Sequence, residues 1–168
     1  MTRTTRRLRR TAAIAGIGLV AAAVVTGTAL AADTGGHGDG DGDGGHSHHQ
    51  VDGTPCSDTA RACVDLAHNQ AWLIHEGHVT RGPVGMSHGG QGKETPTGTF
   101  HVQWKDKDHK SAEFNNAAMP YSVFFADGGI AFHQGNPKNP SAGCVHLALA
   151  DAEAWFNDLE VGDEVQVH

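Results

Sequence analysis

Residues 121–132 of the chain have the sequence YSVFFADGGIAF, in which two apolar runs flank a short polar turn. The runs Tyr121 to Phe125 and Gly129 to Phe132 are rich in aromatic and β-branched residues, which favour strands. Asp127-Gly128 between them is a favoured hairpin turn. The stretch therefore predicts two adjacent antiparallel strands and makes short strands the expected unit of the fold.

Similar short extended runs occur on both sides of this hairpin. Alternation of apolar and polar residues and turn signals predict further strands at 63–66, 71–74, 78–81, 97–104 and 164–167. The charged run from Lys105 to Lys110 predicts an exposed loop. We expect the three tryptophans, Trp72, Trp104 and Trp155, to lie in the core, with sugar-binding platforms as the alternative.

One helix is predicted, from Ala150 to Leu159, because Trp155 and Leu159 recur at helical spacing and Gly162 follows its end. Many short strands with a single helix in the C-terminal half indicate a mainly β fold. We expect a β-sandwich or a mixed barrel.

A histidine and a cysteine follow the hairpin closely. His133 ends the second strand, and Cys144 comes 11 residues later in the run Ser141-Ala142-Gly143-Cys144-Val145-His146. A thiol nucleophile needs a base that generates the thiolate and N–H donors that hold an oxyanion. His133 is one candidate base, and His146, on the same strand face as Cys144, is another. A buried structural cysteine is the alternative reading.

The chain has three cysteines, an odd number. An odd count leaves one thiol unpaired or engaged with another molecule. Cys56 and Cys63 stand seven residues apart at the start of the predicted domain, so the simplest arrangement is a disulfide between them. That arrangement leaves Cys144 as the free thiol.

The N-terminal 31 residues have the order of a secretory signal. Five arginines lie within residues 1–10, residues 12–25 are apolar or glycine, and Ala29-Leu30-Ala31 offers small residues at a cleavage site. We expect cleavage after Ala31, with no stable membrane anchor afterwards. A retained anchor is the alternative, since the apolar stretch is nearly long enough to span a bilayer.

Residues 32–50 are rich in Gly, Asp and His and have almost nothing apolar to bury, which predicts a disordered linker before a domain at 51–168. A metal-capturing segment is the alternative, with His46, His48 and His49 beside the aspartates. The whole chain has a formal charge of −7, which argues against nucleic acid as a partner because phosphate neutralisation needs clustered Lys and Arg.

Several motifs, taken in chain order, resemble the L,D-transpeptidase (YkuD-type) catalytic domain. These motifs are Thr95-Pro96-Thr97-Gly98-Thr99-Phe100, Met119-Pro120-Tyr121, Phe132-His133 and Ser141-Ala142-Gly143-Cys144-Val145. The similarity extends from about Ala62 to Val167, and the ending Val161-Gly162-Asp163-Glu164-Val165 fits it.

The resemblance implies an enzyme of the cell wall that acts as a monomer, without cofactor or metal, on the stem peptides of peptidoglycan. Its cysteine attacks the diamino-acid carbonyl at position three, expels the terminal D-Ala and forms a thioester. An amine of a neighbouring stem then resolves the thioester into a 3–3 cross-link, whereas water gives carboxypeptidase activity.

Carried over to this chain, the resemblance makes Cys144 the nucleophile and His133 the general base. It makes the N–H groups of Ala142, Gly143 and Cys144 the oxyanion donors. The expected supporting and substrate residues are Ser141 in the turn, Gln134 whose carbonyl orients His133, His146 and Tyr121.

Two positions depart from the family pattern. Ala142 stands where the family often has His, and His146 stands where it usually has Arg or Asn. These departures keep two other functions open. One is an exported metal-binding protein that uses Cys144, His133 and His146 or the His-rich linker, and the other is a wall-binding module of the same fold without turnover.

Overall fold

The computed structural model describes residues 48–168, and the expected signal peptide at 1–31 and most of the expected linker at 32–50 lie outside the described residues. In chain order the elements are β1 (Ala62–Asp65), β2 (Gln70–His75), β3 (His78–Ser87), β4 (Gly98–His101), β5 (Trp104–Ser111), β6 (Ala117–Ala126), β7 (Ile130–Gln134), β8 (Val145–Leu147), α1 (Leu149–Asp158) and β9 (Glu164–Val167).

The described strands form one curled sheet in the order β4-β9-β1-β2-β3-β8-β7-β6-β5. Most neighbours are antiparallel, but β1 pairs in parallel with β9 and β7 pairs in parallel with β8. The expected hairpin is present as β6 and β7, joined at Gly128 and Gly129, both of which have positive φ. The mainly β class with one helix is confirmed.

Helix α1 covers the sheet over β6 and β7. Its buried face consists of Ala152 and Trp155, and Leu159 at its C-terminal end is also buried. These side chains join Phe125 and Phe132 in the main hydrophobic core. The helix therefore holds β7, which carries His133, firmly in place.

A second buried cluster lies at the start of the folded part and contains the Cys56–Cys63 disulfide, packed with Val51, Trp72 and Ile74. Gln50 forms an isolated bridge with Ser57 next to it. In the part of the chain that the structure describes, no helix is long and apolar enough to cross a membrane.

The expectation of a loop at Lys105 to Lys110 is wrong, because these residues belong to β5. Strand β5 pairs with β6 along its length, from Trp104 opposite Phe124 to Ser111 opposite Ala117. It is the last strand of the sheet, and charged side chains are typical of edge strands because they discourage pairing with other chains.

The predicted strand at 97–104 is also wrong, since β4 ends at His101 and β5 begins at Trp104. Between them, the Val102 N–H donates to the Asp163 carbonyl and the Gln103 N–H donates to the Phe124 carbonyl. The chain thus passes from one edge of the sheet to the other. Val102 is buried, but Trp104 is 43% exposed and is not a core residue.

Candidate active site

His133 occupies the fourth position of β7 and is only 6% exposed. Its Nδ1 lies 2.9 Å from the carbonyl oxygen of Gln134. A carbonyl only accepts hydrogen bonds, so Nδ1 carries the proton and Nε2 is left as the unprotonated nitrogen. The Gln134 carbonyl therefore fixes the tautomer that a general base requires.

Burial lowers the pKa of His133 to about 4, because the imidazolium loses its hydration. The hydrogen bond to Gln134 opposes this shift, and the nearby rings of His146 and His109 add to it. His133 is consequently a neutral imidazole at neutral pH, able to accept a proton.

Cys144 directly precedes β8 and is partly buried against a small cluster formed by Met119, Phe124 and Ala131. Its thiol donates to the Gly129 carbonyl, with Sγ 3.6 Å from the oxygen. Burial raises the pKa of the thiol, and the Glu113 carboxylate adds to the shift. Cys144 is therefore a protonated thiol at rest, and among the described residues no hydrogen bond joins it to either histidine ring.

Ser141 organises the turn before Cys144. Its hydroxyl donates to the Cys144 carbonyl at 2.5 Å and accepts the Gly143 N–H at 3.0 Å. Gly143 has φ +119°, and a Cβ there would lie 2.5 Å from Ile130 Cδ1, so only glycine fits this position. The turn is thus closed on itself by one side chain.

The amide of Gly143 is already engaged with Ser141 and does not point freely into the site. One of the three expected oxyanion donors is thus paired within the turn, and the donor role of the three amides stays a prediction. The hydrogen bonds that build the turn leave out the amides of Ala142 and Cys144.

Thr95 is a residue of the site to which the sequence assigned no individual role. Its side chain is 2% exposed, and its hydroxyl accepts the Gly89 N–H at 2.9 Å and donates to the Gly143 carbonyl at 2.7 Å. It thereby ties the loop that follows β3 to the turn before Cys144. The one signal in the sequence was its place at the start of the Thr95 to Phe100 motif.

His146 lies directly opposite His133, because β7 and β8 pair in parallel with these two residues in register. The rings are 4.8 Å apart, edge to face. The His146 Nδ1–H donates to the Asn139 carbonyl at 3.3 Å, and burial lowers the pKa of the ring. The His146 ring packs on Gly135, where a Cβ would lie 2.6 Å from Cγ.

These side chains border a cleft of about 910 Å³. Cys144, His133 and His146 lie on one side of it together with the turn from Ser141. Two lysines and one acidic residue, Lys93, Lys110 and Glu113, contribute charge, and Trp104, Phe114 and Phe124 contribute aromatic surface.

Tyr121 is placed elsewhere. Its ring lies 5.9 Å from that of Phe156, and its hydroxyl donates to Glu153 on α1 at 3.4 Å. It is absent from the cleft lining, so the expected substrate role is not supported by its position. Within residues 48–168, no three His, Cys, Asp or Glu side chains converge in a way that fits a metal ion.

The model of the YkuD L,D-transpeptidase catalytic domain matches residues 59–167. The chain belongs to the L,D-transpeptidase family. The match covers every strand and the helix described above, and it includes both His133 and Cys144.

Solved structures agree with this assignment. An L,D-transpeptidase from Stackebrandtia nassauensis is 29% identical, with a TM-score of 0.59 over 64% of this chain and 54% of its own. An LD transpeptidase in complex with imipenem is 22% identical, with a TM-score of 0.59 over 66% of this chain and 59% of its own. An L,D-transpeptidase from Mycobacterium smegmatis is 22% identical, with a TM-score of 0.58 over 64% of this chain and 57% of its own.

The two structures at 22% identity support the fold alone. The chain matches little more than half the length of these L,D-transpeptidases, whose remaining parts have no counterpart in the alignment. The comparison with curated proteins gave no match.

Proposed function

We propose that this L,D-transpeptidase family member is a cysteine acyltransferase of peptidoglycan, with Cys144 as the nucleophile and His133 as the general base. The observation that carries the proposal is the shared cleft. A free thiol and a neutral, tautomer-fixed imidazole border one cavity, inside the region that matches the catalytic domain.

In the first half of the reaction, Cys144 Sγ attacks the carbonyl of the third residue of a stem tetrapeptide. The thiol proton passes to His133 Nε2, and the carbonyl oxygen becomes an oxyanion. The amides of Ala142 and Cys144 are the proposed donors to that oxyanion. Collapse of the intermediate forms a thioester and breaks the peptide bond, and His133 returns the proton to the departing D-Ala amine.

In the second half, an amine of a neighbouring stem attacks the thioester carbonyl. His133 accepts a proton from the amine and gives it to the departing Cys144 sulfur, so that a new amide forms and the free thiol is restored. The product is a 3–3 cross-link. Water in place of the amine gives a trimmed stem, a carboxypeptidase side reaction.

The raised pKa of Cys144 and the lowered pKa of His133 support a particular timing for the first step. A resting thiolate–imidazolium pair is disfavoured, because both charged forms lose hydration in the cleft. Proton transfer therefore accompanies attack on the substrate and does not precede it. This timing protects an exported thiol from reaction before substrate binds, because the thiolate is the reactive form.

The proposal includes the site of action. The basic residues 1–10, the apolar residues 12–25 and Ala29-Leu30-Ala31 support export by a signal peptide that is cleaved after Ala31. The folded domain then acts as a monomer in the cell wall, without nucleic acid and without a stable membrane anchor, with residues 32–50 as its linker.

The direct test is covalent. Purified protein is incubated with a disaccharide tetrapeptide and, separately, with imipenem, and adducts are located by intact-mass and peptide mass spectrometry. We expect one adduct on Cys144 in the wild type, none in Cys144→Ala, and strongly slowed acylation in His133→Asn. Unaltered acylation in Cys144→Ala, or a folded wild-type protein that is acylated by neither compound, would overturn the proposal.

A further inference from the structure

Trp104 is the one tryptophan of the chain that is widely exposed. The chain has three tryptophans, of which Trp72 is 3% exposed, Trp155 is fully buried and Trp104 is 43% exposed. A large aromatic surface left in water forgoes the free energy gained on burial. Trp104 also lines the cleft that holds Cys144.

The geometry of Trp104 leaves one flat face free. Trp104 and Phe124 are cross-strand partners on β5 and β6, and their rings are stacked 3.7 Å apart at 7°. The His109 ring meets the two rings edge-on, at 5.4 Å from Trp104 and 5.0 Å from Phe124. The stack covers one face of the indole and fixes its orientation, so the exposed area is a rigid planar surface.

This surface is continuous with the reacting thiol. Phe124, whose ring stacks on that of Trp104, belongs to the small buried cluster with Met119 and Ala131. Cys144 packs against that cluster. A ligand lying on Trp104 is therefore in the same cleft as Cys144.

Polar groups border the aromatic face. His109, Lys110 and Ser111, all on β5, line the cleft together with Trp104. The His109 ring, which meets the indole edge-on, donates to the Asp106 carboxylate at 3.1 Å. The surface thus combines a flat apolar centre with hydrogen-bonding groups at its edges.

We propose that the free face of Trp104 binds the N-acetylhexosamine ring that carries the stem peptide. A pyranose ring has a C–H face that stacks on an aromatic plane and hydroxyl and acetamido groups around its edge that need hydrogen-bond partners. The Lys110 and Ser111 side chains beside Trp104 offer hydrogen bonds to those edge groups, which a purely apolar ligand lacks.

The proposal rests on the proposed function, because it assumes that the stem is delivered to Cys144 while attached to its sugar. The three residues between the sugar and the attacked carbonyl span at most about 10 Å when extended. Trp104 and Cys144 border one cleft, which the sugar and its stem peptide would occupy together.

Binding can be tested without chemistry, in the Cys144→Ala variant of the full chain. Because Trp72 and Trp155 are buried, iodide quenching of tryptophan fluorescence reports Trp104. We expect the disaccharide of N-acetylglucosamine and N-acetylmuramic acid, free of peptide, to protect the emission saturably. A free tetrapeptide is the control probe. No protection by the disaccharide, or equal protection by the tetrapeptide, would overturn the sugar site.

A kinetic comparison separates sugar contact from a merely structural role. We expect Trp104→Ala to lower the acylation kcat/KM about tenfold with the disaccharide tetrapeptide, the loss of one stacking contact of about 1.4 kcal/mol. With the free tetrapeptide the same variant should lose markedly less, because that substrate has no sugar to stack on Trp104. Trp104→Phe should retain most of the rate, and Leu149→Ala, an exposed apolar side chain outside the cleft lining, should change neither rate.

Equal loss on both substrates, or loss on neither, would contradict the sugar contact. A wild-type protein that is protected by the disaccharide but acylated by no substrate would contradict the proposed function and leave the sugar site standing. The two failures are therefore distinguishable.

Discussion

His133 and His146 face each other in register across the parallel pair β7 and β8, with ring centroids 4.8 Å apart and an interplanar angle of 77°. Burial lowers the pKa of both rings, and the nearby His146 ring lowers the pKa of His133 further. The pair is thus neutral at neutral pH, with His133 the more buried member. Both rings have Nδ1 on a backbone carbonyl, at 2.9 Å for His133 and 3.3 Å for His146, and the shorter bond and deeper burial favour His133 as the proposed base.

Gly135 sets the position of His146. A Cβ at residue 135 would lie 2.6 Å from His146 Cγ, so Gly135→Ala forces the His146 ring to shift. Overpacking of this kind costs about 1–3 kcal/mol of unfolding free energy. Urea unfolding measures it, and we also expect slower acylation. Gly85→Ala is the matched control, since a Cβ there meets nothing within 4 Å; equal stability of the two variants would contradict the packing argument.

The lowered pKa of His133 makes stability depend on pH. The unfolded chain binds a proton at this residue near pH 6.5, whereas the folded chain does so near pH 4. The contribution of the neutral His133 ring to the unfolding free energy is therefore fully present above pH 6.5. It is lost as the pH falls towards 4, and the largest loss is of the order of 3 kcal/mol.

His133→Asn removes this titration. We expect the difference in unfolding free energy between the wild type and His133→Asn to shrink between pH 7 and pH 4. Chemical unfolding at a series of pH values measures it, and His133→Asn is compared with His101→Asn, an exposed histidine outside the cleft. Parallel curves for the wild type and His133→Asn would show that His133 is not a low-pKa group.

The Cys56–Cys63 disulfide joins two cysteines that are seven residues apart in the chain. It lies in its own buried cluster, apart from the cleft. We expect the double variant Cys56→Ala/Cys63→Ala to lose about 2–3 kcal/mol of unfolding free energy, from the loop entropy of the unfolded chain. Acylation of the folded fraction by imipenem should be unchanged. A slowed acylation rate at full folding would show that the disulfide also shapes the site.

The sequence predicted the elements that have strong local signals. The hairpin at Asp127-Gly128 and the helix around Trp155 have turn and spacing patterns that do not depend on the rest of the chain. Strand β5 was missed because its charged residues suit an edge strand as well as a loop, and only pairing with β6 distinguishes the two. The exposure of Trp104 was missed for the same reason, since composition does not reveal an edge.

The motifs predicted which residues belong to the candidate site, but they did not predict the contacts between those residues. His133 and Cys144 were identified from the resemblance, and the structure brings both to one cleft. The Ser141 hydroxyl that occupies the Gly143 amide, and the position of Tyr121 against α1, depend on side-chain geometry that the motif does not encode.

Thr95 gives a test of how the turn before Cys144 is held. Thr95→Val removes the hydroxyl that joins Gly89 to Gly143 and leaves a buried N–H and carbonyl unpaired, at a cost of about 1–3 kcal/mol of unfolding free energy. We expect a fall in the rate of imipenem acylation of about tenfold or more, because the proposed oxyanion donors lie in this turn. Thr95→Ser keeps the hydroxyl and should recover most of the rate. Equal rates in Thr95→Val and Thr95→Ser, measured on fully folded protein, would show that this hydroxyl does not position the turn.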